Sequence, residues 1–325
     1  MDEVNPLAEK GQSFFRKLFS QNLFVLVTLV IVLFIFFSVF TENFFTMANF
    51  PMILLNMSVN GTLAIGMTFC IITTGIDLSV GSVLGLVAVV AATCNKAGVN
   101  WIVCLAIGLV LGMVCGVISG SFISVFRIPA FIATLGMQSI TLGIALTVSN
   151  GTPISSAISE IKPIGTQRLF GFFPYTWVIM LVCFGLAHFI LQYTRTGRYL
   201  YTIGGNSEAA RFSGISLKRY TAIPFIMSGL LAAVAAFLLI GRTSSADAVA
   251  GQGMELDAIA ASIIGGTSMR GGEGNMIGTF VGALLMAILK NGMVQMGLTT
   301  YPQRIILGAI IIGVVIIDIT NRTRR

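Results

Sequence analysis

Residues 22–40, NLFVLVTLVIVLFIFFSVF, carry no charge over the length, about 20 residues, that an α-helix needs to cross the hydrocarbon layer of a membrane. That run decides the fold class. It is too long for a secretory signal and lacks a small-residue cleavage site, so it is expected to remain as a first membrane helix. Similar runs recur to the end of the chain: 56% of residues are hydrophobic, only 10% are charged, and the mean hydropathy is +0.94. The two-residue alternation of an outer-membrane barrel is missing. The polar connections, each shorter than about 30 residues, are too short to fold as a soluble domain. The expectation is an all-α polytopic membrane protein.

The positions of Gly, Pro and charge predict about ten helices, near 22–40, 51–72, 78–94, 100–126, 130–149, 174–192, 219–241, 255–268, 275–297 and 302–319. Residues 1–21 and 320–325 are read as cytoplasmic segments flanking one membrane domain, 22–319. With the amino terminus inside, Lys10, Arg16, Lys17, Arg127, Arg195, Arg198, Arg211, Lys218, Arg219, Arg270, Arg322, Arg324 and Arg325 collect on the cytoplasmic side. Lys96, Lys162, Arg168, Arg242 and Arg304 fall outside. This asymmetry obeys the positive-inside rule and places both termini in the cytoplasm. The net charge of +7 is thus an orientation signal. Nucleic acid is not expected as a partner, because no basic cluster is interleaved with aromatics.

Gly108, Gly112, Gly116 and Gly120 recur at every fourth position, which bares one helix face and lets another backbone approach. Gly278 and Gly282 repeat the pattern. Packing is the main reading, a solute passage the alternative. The five cysteines, Cys70, Cys94, Cys104, Cys115 and Cys183, form no CxxC pair and read as small hydrophobes. His188 stands alone in an apolar run, where a hydrogen-bonded structural role is expected. No metal site is visible.

Two places look broken. Residues 73–81, TTGIDLSVG, interrupt one long apolar region. Gly251, Gly253, Glu255, Leu256, Asp257 and the glycine-rich 265–274 interrupt another. Paired breaks in the two halves of a membrane chain point to internal duplication and to a pathway lined by unwound backbone. A carboxylate at bilayer depth costs about 3 kcal/mol unless it has water, a partner or a helix amino terminus. Asp77 is therefore either a cap for a helix starting at Leu78, at the membrane surface, or a pathway residue beside Ser79. Asp257 and Glu255 carry the same two readings. Asn60 is an interhelical hydrogen bonder or a pathway residue.

Uphill transport needs an energy source, and the chain shows none of its own. Gly266 and Gly271 have the spacing that opens a P-loop, but Gly272 and Glu273 stand where the Lys and the Ser or Thr belong. No ladder of buried acids or His appears, and Lys290 is the only basic residue well inside a span; it is expected to snorkel or to pair locally. No nucleophile with its base and no paired carboxylates suggest an enzyme.

Residues 194–219 are a polar island in this lipophilic chain. Gly204 and Gly205 are read as breakers, Asn206 or Ser207 as a cap, Glu208 as an acid suited to the positive end of a helix dipole, and Gly214 as the stop. About two turns of helix are expected between them, with Ala209, Phe212 and Ile215 toward one face and Arg211 off it. Such an exposed element is a handle for a partner that supplies force.

Here the residues reach a family. Glu208-Ala209-Ala210 with Gly214 resembles the EAA loop of bacterial ABC importer permeases, with Ile223 and Pro224 echoing the motif's tail. Gly66-Met67-Thr68, Gly75-Ile76-Asp77-Leu78-Ser79-Val80-Gly81-Ser82, Phe131-Ile132-Ala133-Thr134-Leu135-Gly136, Gly197-Arg198-Tyr199 and Gly204-Gly205-Asn206 are similar to ribose-type sugar permeases. So are Glu255-Leu256-Asp257-Ala258-Ile259-Ala260-Ala261 and Gly265-Gly266-Thr267-Ser268, and the likeness runs roughly from residue 44 to 318. It implies a permease with internal pseudo-repeats in the bacterial inner membrane, without enzyme activity. A second permease copy, identical or related, would complete it. ABC ATPase subunits, which bind the ATP and Mg, would seat on Glu208, Ala209, Ala210, Arg211, Phe212 and Gly214. An extracytoplasmic sugar-binding protein would dock on the loop that holds Lys162 and Arg168, unless that loop is only a solvated connector. Asn60, Asp77, Ser79, Phe131 and Asp257 are the pathway candidates; Phe131 and Phe45 serve equally well as core. An ion-coupled secondary transporter or a channel is the rival reading.

Overall fold

A computed structural model describes residues 21–155 and 157–323. The expected segment 1–21 lies, apart from Gln21, outside the described residues, as do Arg324 and Arg325. All ten expected helices are present: α1 (Gln21–Phe40), α2 (Phe50–Ile72), α3 (Val80–Lys96), α4 (Trp101–Ser124), α5 (Ala130–Ser149), α7 (Tyr175–Tyr193), α10 (Leu217–Thr243), α11 (Met254–Ile264), α12 (Met276–Gln295) and α13 (Thr300–Thr323). Three short helices lie outside the ten: α6 (Lys162–Thr166), α8 (Arg195–Gly205) and α9 (Ser207–Phe212). Among the described residues, seven helices are long and apolar enough to cross a membrane. Strand is confined, among the described residues, to two two-stranded ribbons, β1 (Ile154–Ser155) with β4 (Ser245–Ala246) and β2 (Arg168–Leu169) with β3 (Phe173–Pro174). The protein is a polytopic all-α membrane protein.

The bundle centres on α2 and α10, both largely buried by their neighbours. The glycine period of α4 does what its spacing implies. A Cβ on Gly112 would collide with the Gly229 carbonyl, one on Gly116 with the Phe225 carbonyl, and one on Gly120 would sit 2.9 Å from the Ala222 oxygen, so the bare face lies directly on the backbone of α10. Gly278 and Gly282 of α12 meet the Gly265 and Ala261 carbonyls at the end of α11 in the same way. With no water to drive helices together in lipid, such close approach and interhelical hydrogen bonds hold them. Thr68 of α2 joins the Ser262 hydroxyl of α11 at 3.0 Å and the Thr279 hydroxyl of α12 at 2.8 Å. Asn49 and Asn291 exchange side-chain amide bonds of 2.8 and 2.9 Å, and Gln295 adds a third at 3.0 Å.

The two breaks are real and are related by inversion. At 1.5 Å per residue, α3 spans about 25 Å and α11 about 16 Å, both short of the roughly 30 Å hydrocarbon layer. Each follows a full-length helix, α2 or α10, through a non-helical stretch, 73–79 or 244–253. The full-length helices run in opposite senses, since α2 starts beside the 150–174 loop, where the Phe50 and Phe172 rings lie 5.8 Å apart, whereas the end of α10 reaches that loop at Gly241 and Gly165. The amino ends of the two short helices meet inside the bundle: a Cβ on Gly81 would strike the Gly251 carbonyl and come within 2.6 Å of Glu255 Oε2.

Cys70, Cys104 and Cys115 are buried and all five cysteines are free, as small hydrophobes would be. His188 differs from expectation. Its Nδ1 is buried without a hydrogen-bond partner, and the ring packs edge-on to Tyr193, 6.2 Å between centroids.

Candidate functional site: a capped helix clamped to both broken segments

The polar island folds into two consecutive helices hinged at Asn206. Thr194 caps α8, its hydroxyl accepting from the Gly197 amide at 3.3 Å. Asn206 then ends α8 in an extended conformation and caps α9, its Oδ1 accepting from the Ala209 amide at 2.9 Å. At the far end the Gly214 amide donates to Arg211 O and the Ile215 amide to Ala210 O, each at 3.0 Å, with Gly214 at φ +78°. This is a Schellman stop, and it needs the left-handed conformation that glycine adopts freely. Glu208 lies exposed in the first turn and Arg211 exposed in the last, both in the favourable order for the helix dipole.

Two details correct the sequence reading. Ala210, not Ala209, is the residue α9 turns inward, and Phe212 is 80% exposed. The phase follows from the Asn206 cap, which fixes where the first turn starts and so which side chain faces α8 and α10. Arg211 lies over the Phe212 ring, 5.5 Å from its centroid, so α9 presents Glu208 and an Arg–Phe pair outward. Gly204 and Gly205 do not break the chain either; both belong to the last turn of α8.

Gly204 is where this element is fastened. A Cβ there would overlap the Ile72 carbonyl at the end of α2 and sit 2.5 Å from the Gly272 amide. That amide in turn donates to Ile72 O at 2.9 Å, and Tyr201 donates to Gly274 O at 2.7 Å. Burial pushes the Tyr201 phenol up to about 12, so it remains a donor at neutral pH. Ile72 immediately precedes the first break. Gly272 and Gly274 lie in the loop that follows α11. The glycine-rich 265–274 segment, with positive φ at Gly266, Gly271, Gly272 and Gly274, is a turn closed by the Ser268 amide on Glu273 O, 3.0 Å. One residue of α8 consequently touches both broken segments.

The pathway candidates are not gathered at one point. Asp77 is 2% exposed, and α3 starts at Val80, not Leu78. Its Oδ1 accepts from the Ser79 amide at 3.0 Å and the Ser79 hydroxyl at 2.6 Å, an Asx turn that leads into α3. Asp257, in the first turn of α11, pairs with Lys290 of α12. Lys290 therefore pairs across helices. Glu255 accepts from the Gly253 amide at 3.1 Å and lies 3.5 Å from the Gln138 amide nitrogen. Among the described residues Asn60 makes no interhelical bond, and its Oδ1 is occluded without a partner. Phe131 is 56% exposed on α5 and Phe45 is 69% exposed.

Lys162 and Arg168 are both exposed, on a loop that is folded. Ile158 and Ile161 are buried beneath it, Gly165 packs on Gly241, and the β2–β3 turn carries Phe170 outward, 89% exposed, at φ +53°. This cap and the α8–α9 pair stand at opposite ends of α7, whose 19 residues span about 28 Å.

A bundle of lipophilic helices, interrupted by two inverted half-helices and capped by different folded elements at its two ends, defines a membrane permease. The family described as branched-chain amino acid transport system / permease component matches residues 49–315. The ribose import permease protein RbsC of Escherichia coli (strain K12) is 39% identical over 312 residues, covering 95% of this chain and 97% of that protein. RbsC of Bacillus subtilis (strain 168) is 35% identical, with 91% and 90% covered. The xylose transport system permease protein XylH of Escherichia coli (strain K12) is 34% identical across the whole of both chains. No solved structure matches the chain. The chain belongs to the ribose-type ABC sugar permeases.

Proposed function

We propose that this permease is the translocating subunit of an ATP-driven importer, carrying a monosaccharide delivered by an extracytoplasmic binding protein. ATPase subunits bind ATP and Mg and seat on α9 from the cytoplasm; a second permease copy completes the conduit. In this reading the protein lies in the bacterial inner membrane with both termini cytoplasmic, and the cap with Lys162 and Arg168 receives the binding protein.

The observation that carries the reading is the contact of Gly204 with Ile72 and Gly272. A push on α9 passes through the rigid α8 to the end of α2 and to the loop after α11, which are the entry to one half-helix and the exit from the other. Packed elements of this kind shift between discrete arrangements and do not deform continuously. The test is co-purification of the permease with its ATPase and binding protein, followed by a sugar panel for stimulated ATP hydrolysis. Stimulation by a pentose or a related hexose is expected. Uptake that survives ATP depletion and collapses with the proton gradient would instead establish an ion-coupled transporter.

A further inference from the structure

From Pro51 to Ile72 every residue of α2 is buried except Met52, Asn56 and Asn60. Their spacing of four places them on one face of the helix. Met52 is 45% exposed, Asn56 and Asn60 are half-buried, and below Asn60 the helix is closed as far as Thr73. The uncovered strip is therefore a wedge, open at the Phe50 end of α2, beside the cap, and shut one turn past Asn60.

The other hydroxyl side chains of α2 are all provided for. Ser58 donates to Leu54 O at 2.7 Å, Thr62 to Ser58 O at 2.7 Å and Thr68 to Ala64 O at 2.8 Å. Of the polar side chains of α2, only those of Asn56 and Asn60 have no hydrogen-bond partner among the described residues, and the Asn60 Oδ1 is occluded. Against lipid, an amide with no partner is strongly penalised, so a strip facing water or a polar molecule is favoured over one facing acyl chains. The Asn56 amide offers two donor hydrogens and an acceptor oxygen and the Asn60 amide its two donor hydrogens, the complement of neighbouring hydroxyl groups, and the strip has no charge to attract an ion.

We propose that Asn56 and Asn60 are solute-contacting residues of the outer vestibule, hydrogen-bonding the hydroxyls of a neutral polyol as it leaves the cap side. The identification of the solute rests on the permease reading above; the wetness of the strip does not.

Asn56→Cys and Asn60→Cys, in membrane vesicles with the unsubstituted protein as the background control, are treated with a charged, membrane-impermeant methanethiosulfonate. Modification of the Asn56→Cys variant within tenfold of the rate for Lys162→Cys is expected, slowed several-fold by ribose or xylose but not by an amino acid of similar size. Labelling no higher than background would overturn the proposal, and together with a spontaneous disulfide between two copies of the Asn60→Cys variant it would make the strip a dry seat for a second copy. Independently, Asn60→Leu should lower uptake at least tenfold while ATP hydrolysis stimulated by the binding protein stays within twofold, and Asn60→Gln should restore uptake. Unchanged uptake in Asn60→Leu would sink the assignment. Loss of stimulated hydrolysis in the unsubstituted complex would refute the permease mechanism instead, and labelling would still decide whether the strip is wet.

Discussion

The Gly272 amide donates a 2.9 Å hydrogen bond to the Ile72 carbonyl, and the contact leaves room for no side chain on Gly204. Two segments far apart in sequence are thus tied at the point where the α8–α9 pair leans on them. The tie lets a six-residue helix, α9, reach both broken segments through α8.

Gly204→Ala should therefore cost the contact about 1–3 kcal/mol of overpacking and lower uptake at least tenfold. Gly205→Ala is the control, because a Cβ there meets nothing within 4 Å. Uptake in proteoliposomes by the two variants, normalised to inserted protein, distinguishes them; equal activities would refute the clamp.

The Asp257–Lys290 pair is buried on the Asp257 side, with 5% of that side chain exposed against 27% for Lys290. Asp257→Asn or Lys290→Met alone should destabilise the protein by about 3 kcal/mol, since each leaves a charge without its partner. The double substitution should recover most of that loss. Thermal unfolding in detergent measures it, and a double variant as unstable as the sum of the two would show that the ion pair is not what couples these positions.

Glu208→Lys reverses the charge at the positive end of α9 and on its outward face. It should abolish uptake while leaving the affinity of the binding protein for sugar unchanged. Titration of the purified binding protein and uptake by cells, with membrane insertion checked by blotting, settle the point; normal uptake by a stably inserted variant would count against α9 as the coupling element.

Local rules made much of this legible. The glycine period on α4 needs only a spacing of four, and its partner face on α10 carries Gly229 and Ala233 to receive it. The cap at Asn206 and the stop at Gly214 follow from residue types within a single turn. The reading failed where a position depends on distant chain. Gly204 looks like a helix breaker in isolation, but its missing side chain admits the Ile72 carbonyl while the helix continues. Lys290 and Asp257 were each conspicuous, but no periodicity links residues on different helices. Asn56 went unnoticed because only the packing of the whole bundle shows that it shares an uncovered face with Asn60.

The central claim is that α9 receives force from a nucleotide hydrolase. A photo-reactive amino acid in place of the outward Phe212, irradiated in intact cells, tests it most directly. A covalent adduct with the ATPase subunit, changed in yield by trapping ATP, is the predicted result; labelling of an extracytoplasmic protein, or of no hydrolase at all, would contradict it.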